Sequence, residues 1–241
     1  MRSFVYAILS LCAAFAPLEG GGVMLPGARM LFEESRGVPY IMPDGDAYWD
    51  SGFVGGDGCE YAFSCIWLRF PKNSDNEDGA ENCLMGSHIY KGVVACTFNF
   101  GATNADTLTT QANFTECRCP VGGEWLGVMS RLVARHRVGD NYLSVGFEGG
   151  EFSSVYKSDP ITTDGSMLIC QSVAGGPYDR YAPMPDNTVM IFNIGVSQNG
   201  QLVKNFIPWK DRGTPCFKET VSGTLIHSIG STTGKFGVWK P

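Results

Sequence analysis

The apolar residues of this chain follow the two-residue period of β-strands over most of its length, and no stretch shows the period of an amphipathic helix. Residues 60–70 are apolar at both parities, with Tyr61, Phe63 and Trp67 on one side and Ile66 on the other. A strand that is apolar on both sides is typical of the middle of a sheet with both faces covered. We therefore expect residues 60–70 to form a central strand.

Further along the chain, residues 131–138 and 142–147 predict a hairpin, because two alternating runs flank a short Gly-Asp-Asn segment. Residues 84–100 and 166–170 also have strand character. The Thr- and Asn-rich stretch 101–113 is polar and predicts a loop.

The C-terminal part has the clearest turn signal. Residues 189–194 are apolar at both parities, and Asn199-Gly200 follows between two strand-like runs. Asn-Gly tolerates the positive φ angles of a two-residue hairpin turn. The second strand is predicted to end at Pro208, because proline lacks a backbone N–H.

Four segments carry a resemblance to a known family. Residues 199–208, 221–225 and 230–236 resemble the C-terminal signature of the laminin-G-like, concanavalin A-like jelly-roll domains of secreted bacterial proteins, and residues 40–53 resemble its N-terminal signature. The resemblance implies an all-β fold, a two-sheet antiparallel β-sandwich or jelly roll, in which the first and last strands pair. It implies little about the ligand, since one fold hosts many functions.

The N-terminal residues indicate how the chain is divided. Arg2 and the apolar run after it predict a signal peptide over residues 1–20, followed by an N-terminal extension at 21–38 and one laminin-G-like domain at 39–241. No other apolar run reaches the length of a membrane span, so we expect no transmembrane segment in the mature chain. The predicted location is secreted, at the cell surface or in the periplasm.

The net charge of the chain limits the classes of partner that we expect. The formal net charge is −6, which disfavours nucleic acid and anionic membranes as ligands. The hydrophobic content of 44% is enough for a packed core. A carbohydrate or surface glycoconjugate, or an extracellular protein, is the expected partner.

Eight cysteines lie beyond the predicted signal peptide, and in an exported protein an even number favours disulfides. They are Cys59, Cys65, Cys83, Cys96, Cys117, Cys119, Cys170 and Cys216. The connectivity stays open, and a few bridges with some buried free thiols would satisfy the same count. Metal binding by Cys117 and Cys119 is the weaker interpretation, because no second ligand pair stands at zinc spacing.

No catalytic motif is visible. Jelly-roll glycosidases carry paired acids on one strand, commonly as Glu-x-Asp-x-x-Glu, and the chain lacks this motif. Asp44, Asp46 and Asp50 belong to the N-terminal signature and are expected to hold a turn. We therefore expect a non-enzymatic protein, with a divergent glycoside hydrolase as the minor alternative.

One acidic loop has the oxygen ligands that calcium prefers, at Asp75, Asp78 and Glu81. Its residues lack the order of an EF-hand, and a solvated acidic loop is the competing interpretation. Calcium is therefore the one cofactor that the sequence suggests.

Arg131, Arg135 and Arg137 share one side of a predicted strand, and three guanidiniums there suit an acidic sugar or an acidic partner. The alternative is an outer face on which each arginine pairs with a neighbouring carboxylate. Trp125, in a loop just before this strand, is the candidate ring for stacking on a sugar. His136 lies on the opposite, apolar parity and is expected in the core.

These residues favour a secreted, non-enzymatic module that recognises carbohydrate. A protein-interaction or surface-structural domain on the same scaffold is the competing hypothesis.

Overall fold

The computed structural model describes residues 37–71, 82–87, 93–99, 107–113, 115–137, 141–163, 165–171 and 184–240, and for 93–99 only the backbone. The described residues between 39 and 237 form one compact unit, and residues 37, 38 and 238–240 belong to a second. The predicted signal peptide and nearly all of the predicted extension lie outside the described residues. Within the described ranges, no helix is long and apolar enough to cross a membrane.

The described residues form sixteen strands. In chain order they are β1 (Val38–Met42), β2 (Trp49–Asp50), β3 (Cys59–Trp67), β4 (Asn82–Gly86), β5 (Val93–Asn99), β6 (Thr107–Ala112), β7 (Thr115–Pro120), β8 (Met129–His136), β9 (Tyr142–Phe147), β10 (Phe152–Tyr156), β11 (Leu168–Ile169), β12 (Val189–Gln198), β13 (Gln201–Asp211), β14 (Thr214–Glu219), β15 (Leu225–His227) and β16 (Lys235–Trp239).

The strands form two antiparallel sheets that pack face to face. The larger sheet has the order β10-β9-β8-β3-β12-β13-β14-β15, with β1 paired to β12 and β16, and the smaller has the order β2-β11-β4-β5-β6-β7. β7 packs against β9 and β10, and β2 packs against β15. This arrangement confirms the predicted all-β jelly-roll sandwich.

The core lies between the two sheets. β3 is central, between β8 and β12, and Tyr61, Phe63 and Trp67 on its inner face are fully buried. Trp49 of the smaller sheet meets Phe217 of the larger edge-on, with ring centroids 5.0 Å apart. Burial of such large apolar side chains is the main stabilising term in a sandwich.

His136 lies in this core, as its parity predicted. It is fully buried at the end of β8, and its Nε2 is 2.7 Å from the hydroxyl oxygen of Thr110 on β6 in the opposite sheet. Burial lowers the pKa of the imidazole to about 3, so His136 is neutral at physiological pH.

The predicted β12–β13 hairpin is confirmed, but its second strand is longer than expected. Gln198 pairs with Gln201, and Asn199 and Gly200 take φ angles of 50° and 78° in the turn. β13 continues through Pro208 to Asp211, so the predicted end at Pro208 is wrong. The pairing of β13 with β12 extends only to Phe206. Pro208 lies beyond it, opposite Phe217 of β14, where its missing N–H is tolerated.

The loop predicted over residues 101–113 is partly wrong, because Thr107–Ala112 forms β6 between β5 and β7. Leu108, Thr109 and Thr110 are buried there. Threonine is β-branched and fits a sheet well, so a run that looks polar by composition becomes a strand once both neighbours supply partners.

The two ends of the domain meet, as the resemblance implied. β1 pairs with β16, Asp44 accepts a hydrogen bond from Thr232, and Asp46 accepts one from Ser231 at 3.0 Å. Asp50 accepts the backbone N–H of Gly52 at 2.9 Å, the turn role that the sequence predicted.

The segment 221–225 is held by one buried carboxylate, Glu219. It accepts the backbone N–H groups of Val221 at 2.8 Å and Ser222 at 2.9 Å, and that of Asn205 at 3.2 Å. Desolvation raises the pKa of Glu219, but hydrogen bonds from the Ser222 hydroxyl and these N–H groups outweigh it, so the net pKa is lowered. Glu219 is therefore a structural anion.

Candidate functional site

Arg131 and Arg135 lie on the outer face of β8, the side turned away from the core, because their parity is opposite to that of Leu132 and Ala134. Arg131 donates from Nη1 to Glu148 Oε1 at 2.9 Å. Arg135 donates from Nε to Glu60 Oε2 at 2.7 Å across the β3–β8 pair.

Arg137 follows β8 and completes the series. Its Nη1 lies 3.3 Å from Asp57 Oδ2, and its Nη2 donates to Asn141 Oδ1 at 2.7 Å. Each of the three arginines therefore faces a carboxylate, which is the alternative arrangement that the sequence left open. The guanidiniums and carboxylates together form a row of charged hydrogen-bonding groups with compensated charge.

The neighbouring hairpin adds aromatic side chains to the same face. β10 is the last strand of the larger sheet, and Phe152 and Tyr156 point outward while Val155 packs on the core. Tyr142 of β9 is directly opposite Tyr156. We call Tyr142, Phe152 and Tyr156 the aromatic edge.

The three rings of the aromatic edge are substantially open to solvent, at 43%, 38% and 59% exposure for Tyr142, Phe152 and Tyr156. Tyr142 and Tyr156 meet edge to face, with centroids 5.8 Å apart and an interplanar angle of 74°. Large aromatic side chains are usually buried, so three exposed rings on one hairpin make it a candidate interaction surface.

The aromatic edge is joined to the arginine row by direct contact. The guanidinium carbon of Arg135 lies 4.7 Å from the centroid of the Phe152 ring. Between the two groups, the partly exposed Ser144 is opposite Arg135, and the exposed Ser154 is opposite Ser144. Ring faces, hydroxyls and charged donors and acceptors thus occur side by side, which is the set that a polyhydroxylated ligand requires.

Sequence reasoning missed the aromatic edge because it considered tryptophans alone and assigned no strand to residues 152–156. The signal was present in the alternation Phe-Ser-Ser-Val-Tyr, which places Phe152 and Tyr156 on one side of a strand. What the alternation does not show is that this side faces solvent.

Trp125 packs on the core side of β9 and not beside the row formed by Arg131, Arg135 and Arg137. It ends a short 3-10 turn, Gly123–Trp125, and stacks on Phe147 with centroids 4.4 Å apart and an angle of 11°. Phe147 has the core-facing parity of β9, so the half-buried Trp125 covers the margin of the core. A sugar-stacking role for Trp125 stays a prediction. The contact with Phe147 does not bring the Trp125 ring to the three arginines.

The predicted calcium ligands, Asp75, Asp78 and Glu81, lie outside the described residues. Among the residues that are described, no cluster of three or more His, Cys, Asp or Glu side chains is placed to hold a metal ion.

The expected disulfides are not found among the seven cysteines whose side chains are described, and Cys96 is not one of these. All seven are buried free thiols, and none is at disulfide distance from another. Burial raises the pKa of Cys65 to about 12 and that of Cys117 to about 11, so these thiols are protonated and unreactive. They pack as small apolar side chains, which is common for free cysteine.

The fold and this face define a jelly-roll sandwich with an exposed aromatic and charged edge. No protein-family model matches the chain, and no curated protein matches it. Among solved structures, the chain is similar to a "putative carbohydrate binding protein" from Bacteroides ovatus, with a TM-score of 0.56 and 10% identity over 86% of this chain.

The chain spans 61% of the length of that structure. A second similar structure is the native heptameric SAP-like pentraxin from Limulus polyphemus, with a TM-score of 0.46 and 12% identity, covering 70% of this chain and 78% of the pentraxin. At such identities the first match shows the shared fold.

Proposed function

We propose that the protein is an exported, non-enzymatic binding module of the laminin-G-like, concanavalin A-like type, and that it recognises carbohydrate or a surface glycoconjugate. The observation that carries the proposal is the aromatic edge, three exposed rings beside ion-paired arginines on one sheet face. Aromatic rings accept the apolar faces of sugars, while the guanidiniums, carboxylates and serine hydroxyls bind their hydroxyl groups.

The fold is compatible with this proposal but does not by itself indicate the ligand. The Bacteroides ovatus protein that shares the fold has a name that refers to carbohydrate binding, and at 10% identity this is a precedent for the scaffold. Export, and a place at the cell surface or in the periplasm, are part of the proposal and rest on the signal-like N-terminal sequence.

The proposal excludes catalysis as the main role. The Glu-x-Asp-x-x-Glu motif of jelly-roll glycosidases is absent from the sequence, and Glu148, the carboxylate at the end of β9, is engaged by Arg131. The paired carboxylate keeps lone pairs that can accept hydrogen bonds from a ligand hydroxyl, which is a binding role.

The test is a glycan-array screen followed by calorimetric titration of any ligand found, with and without calcium. Tyr156→Ala should weaken binding about tenfold, because the most exposed ring of the edge is removed. Ile229→Ala is the matched control, since Ile229 has 56% exposure and lies just after β15, the strand at the opposite end of the sheet from β10.

Two results would contradict the proposal: no glycan binds, or Tyr156→Ala and Ile229→Ala bind a glycan alike. Loss of binding on calcium removal would instead add the acidic loop at Asp75, Asp78 and Glu81 to the site.

A protein partner is the second candidate function, and one observation favours it. Leu68, Leu126 and Val128 are exposed at 43%, 38% and 39%, on two segments joined by a bridge between Trp67 and Leu126. Exposed aliphatic side chains suit a protein surface better than a sugar, whose apolar face stacks on aromatic rings. Replacing all three with serine should abolish a protein interaction and leave glycan binding unchanged.

A further inference from the structure

We infer that the ligand of the aromatic edge is a neutral oligosaccharide that lies along β10, and not an acidic glycan. This inference rests on the proposed function and narrows it to a substrate class. Two independent features support it, the charge balance of the face and the spacing of its rings.

The charge balance comes from the pairing of every arginine in the row. Arg131, Arg135 and Arg137 are paired with Glu148, Glu60 and Asp57, respectively, at N–O distances of 2.9, 2.7 and 3.3 Å. An acidic sugar would bring its own carboxylate close to one of these carboxylates as a like charge, whether it displaced that group or bound the remaining guanidinium N–H groups. The exchange of one ion pair for another gains little, and the face therefore does not attract anions.

A neutral sugar needs no such exchange. Its hydroxyl groups can donate to the carboxylate of Glu60 and accept from the guanidinium of Arg135, since both side chains are partly exposed, whereas Arg131 is buried. Arg135 is fixed twice, by Glu60 and by the Phe152 ring, so its donors are pre-organised and lose little freedom on binding.

The spacing of the rings indicates the length of the ligand. Phe152 and Tyr156 project from the same side of β10 four residues apart, a separation of about 13 Å along the strand. That span is longer than a single pyranose ring, so one monosaccharide cannot contact both aromatic side chains. An oligosaccharide along β10 contacts Tyr156 and Phe152 at two subsites, with Ser154 between them.

The decisive experiment compares three ligand sets on the full chain by calorimetry at low and high salt: a neutral monosaccharide, its neutral oligosaccharide, and an oligosaccharide of similar length bearing carboxylates. We expect the neutral oligosaccharide to bind tightest, with an affinity that salt does not change. Phe152→Ala should weaken the oligosaccharide about three- to tenfold and leave the monosaccharide unchanged.

A charge variant tests the selectivity directly. Glu60→Gln frees Arg135 from its carboxylate and should raise the affinity for the acidic oligosaccharide about fivefold, in a salt-dependent manner. Glu116→Gln is the matched control, because it makes the same charge change in another arginine pair, with Arg118 on β7 of the other sheet. It should not alter acidic binding.

The outcomes distinguish a failure of this inference from a failure of the proposed function. If the acidic oligosaccharide binds tightest to the unmodified protein, or the monosaccharide binds as tightly as the oligosaccharide, this inference is overturned while carbohydrate recognition stands. If Glu60→Gln and Glu116→Gln behave alike, the charge argument is overturned. Absence of binding to all three sets, after a negative array, overturns the proposed function and this inference with it.

Discussion

The inner and outer faces of β8, β9 and β10 differ in residue type and in burial, although they belong to the same three strands. On the inner face, Leu132, Ala134 and Val145 are fully buried against the second sheet. The outer face carries paired arginines and the aromatic edge. On β8 the outer side is itself buried at Arg131 and Val133, which are 8% and 1% exposed, so the proposed recognition surface is limited to Arg135 and the outer side chains of β9 and β10.

His136 and Arg135 show what this difference means physically. They are neighbours in sequence and both are basic, yet His136 is buried, neutral and hydrogen-bonded to Thr110, whereas Arg135 is charged and paired with Glu60. Desolvation removes the charge on the inner face, and solvent and a carboxylate preserve it on the outer face. Substitutions of buried inner residues should therefore affect stability, and those of exposed outer residues should affect binding.

The sharpest way to test this separation is a core truncation. Leu132→Ala removes a fully buried side chain from the inner face of β8 and should lower the free energy of unfolding by about 2–5 kcal/mol. Urea denaturation measures this change. Ser154→Ala, on the outer face of β10, is the control and should stay within about 0.5 kcal/mol. Equal losses from both variants would contradict the separation of the faces.

The buried histidine makes stability depend on pH. The native pKa of His136 is about 3, below its ordinary value of 6.5, so below pH 6.5 the unfolded chain binds a proton that the native state rejects. Stability is therefore fully present above pH 6.5 and falls as the pH drops towards 3. Between pH 7 and pH 5 the loss should be about 2 kcal/mol.

Urea midpoints at the two pH values, in the unmodified protein and in His136→Gln, measure this effect. The Gln variant should lose most of the pH dependence, whereas His227→Gln, which changes an exposed histidine near the end of β15, should keep it. A His136→Gln variant with an unchanged pH profile would show that this imidazole is not neutral in the native state.

The aromatic edge should behave in the opposite way to the core. Tyr156→Ser removes a ring that is 59% exposed, so unfolding should be altered by no more than about 1 kcal/mol while the glycan affinity falls. Thermal denaturation and titration on the same preparation compare the two quantities. A large loss of stability would make Tyr156 a packing residue and remove it from the proposed site.

The smallest effect is expected for the ion pair between Arg135 and Glu60. A double-mutant cycle with Arg135→Gln and Glu60→Gln should give a coupling of about 0–1 kcal/mol in stability, because both side chains are partly exposed. A coupling well above this range would mean that the row serves the fold more than the ligand.

Much of the fold was predictable where local patterns agree with tertiary contacts. The central strand β3, the β8–β9 hairpin and the Asn199-Gly200 turn follow from apolar alternation and turn chemistry. β6 was predicted wrongly, because a Thr-rich stretch is recognised as a strand once neighbouring strands supply its hydrogen bonds.

The candidate site was predicted only in part. Shared parity on one strand was enough to bring Arg131 and Arg135 together, because side chains alternate along every strand. Trp125 was selected for its residue type, but the contact with Phe147 turns it towards the core margin. The exposed state of Tyr142, Phe152 and Tyr156 depends on β10 being the last strand of its sheet, which no local pattern encodes.

By itself, the sequence determined the all-β class, the meeting of its two ends, the central strand and the side of β8 on which the arginines lie, because these follow from periodicity, turn residues and the quoted signatures. The tertiary structure alone decided which carboxylate each arginine meets, that the described cysteines remain thiols, and which rings stay in water. Those outcomes depend on residues far apart in the chain, such as Glu60 and Arg135, whose proximity arises only when strands pair and sheets pack.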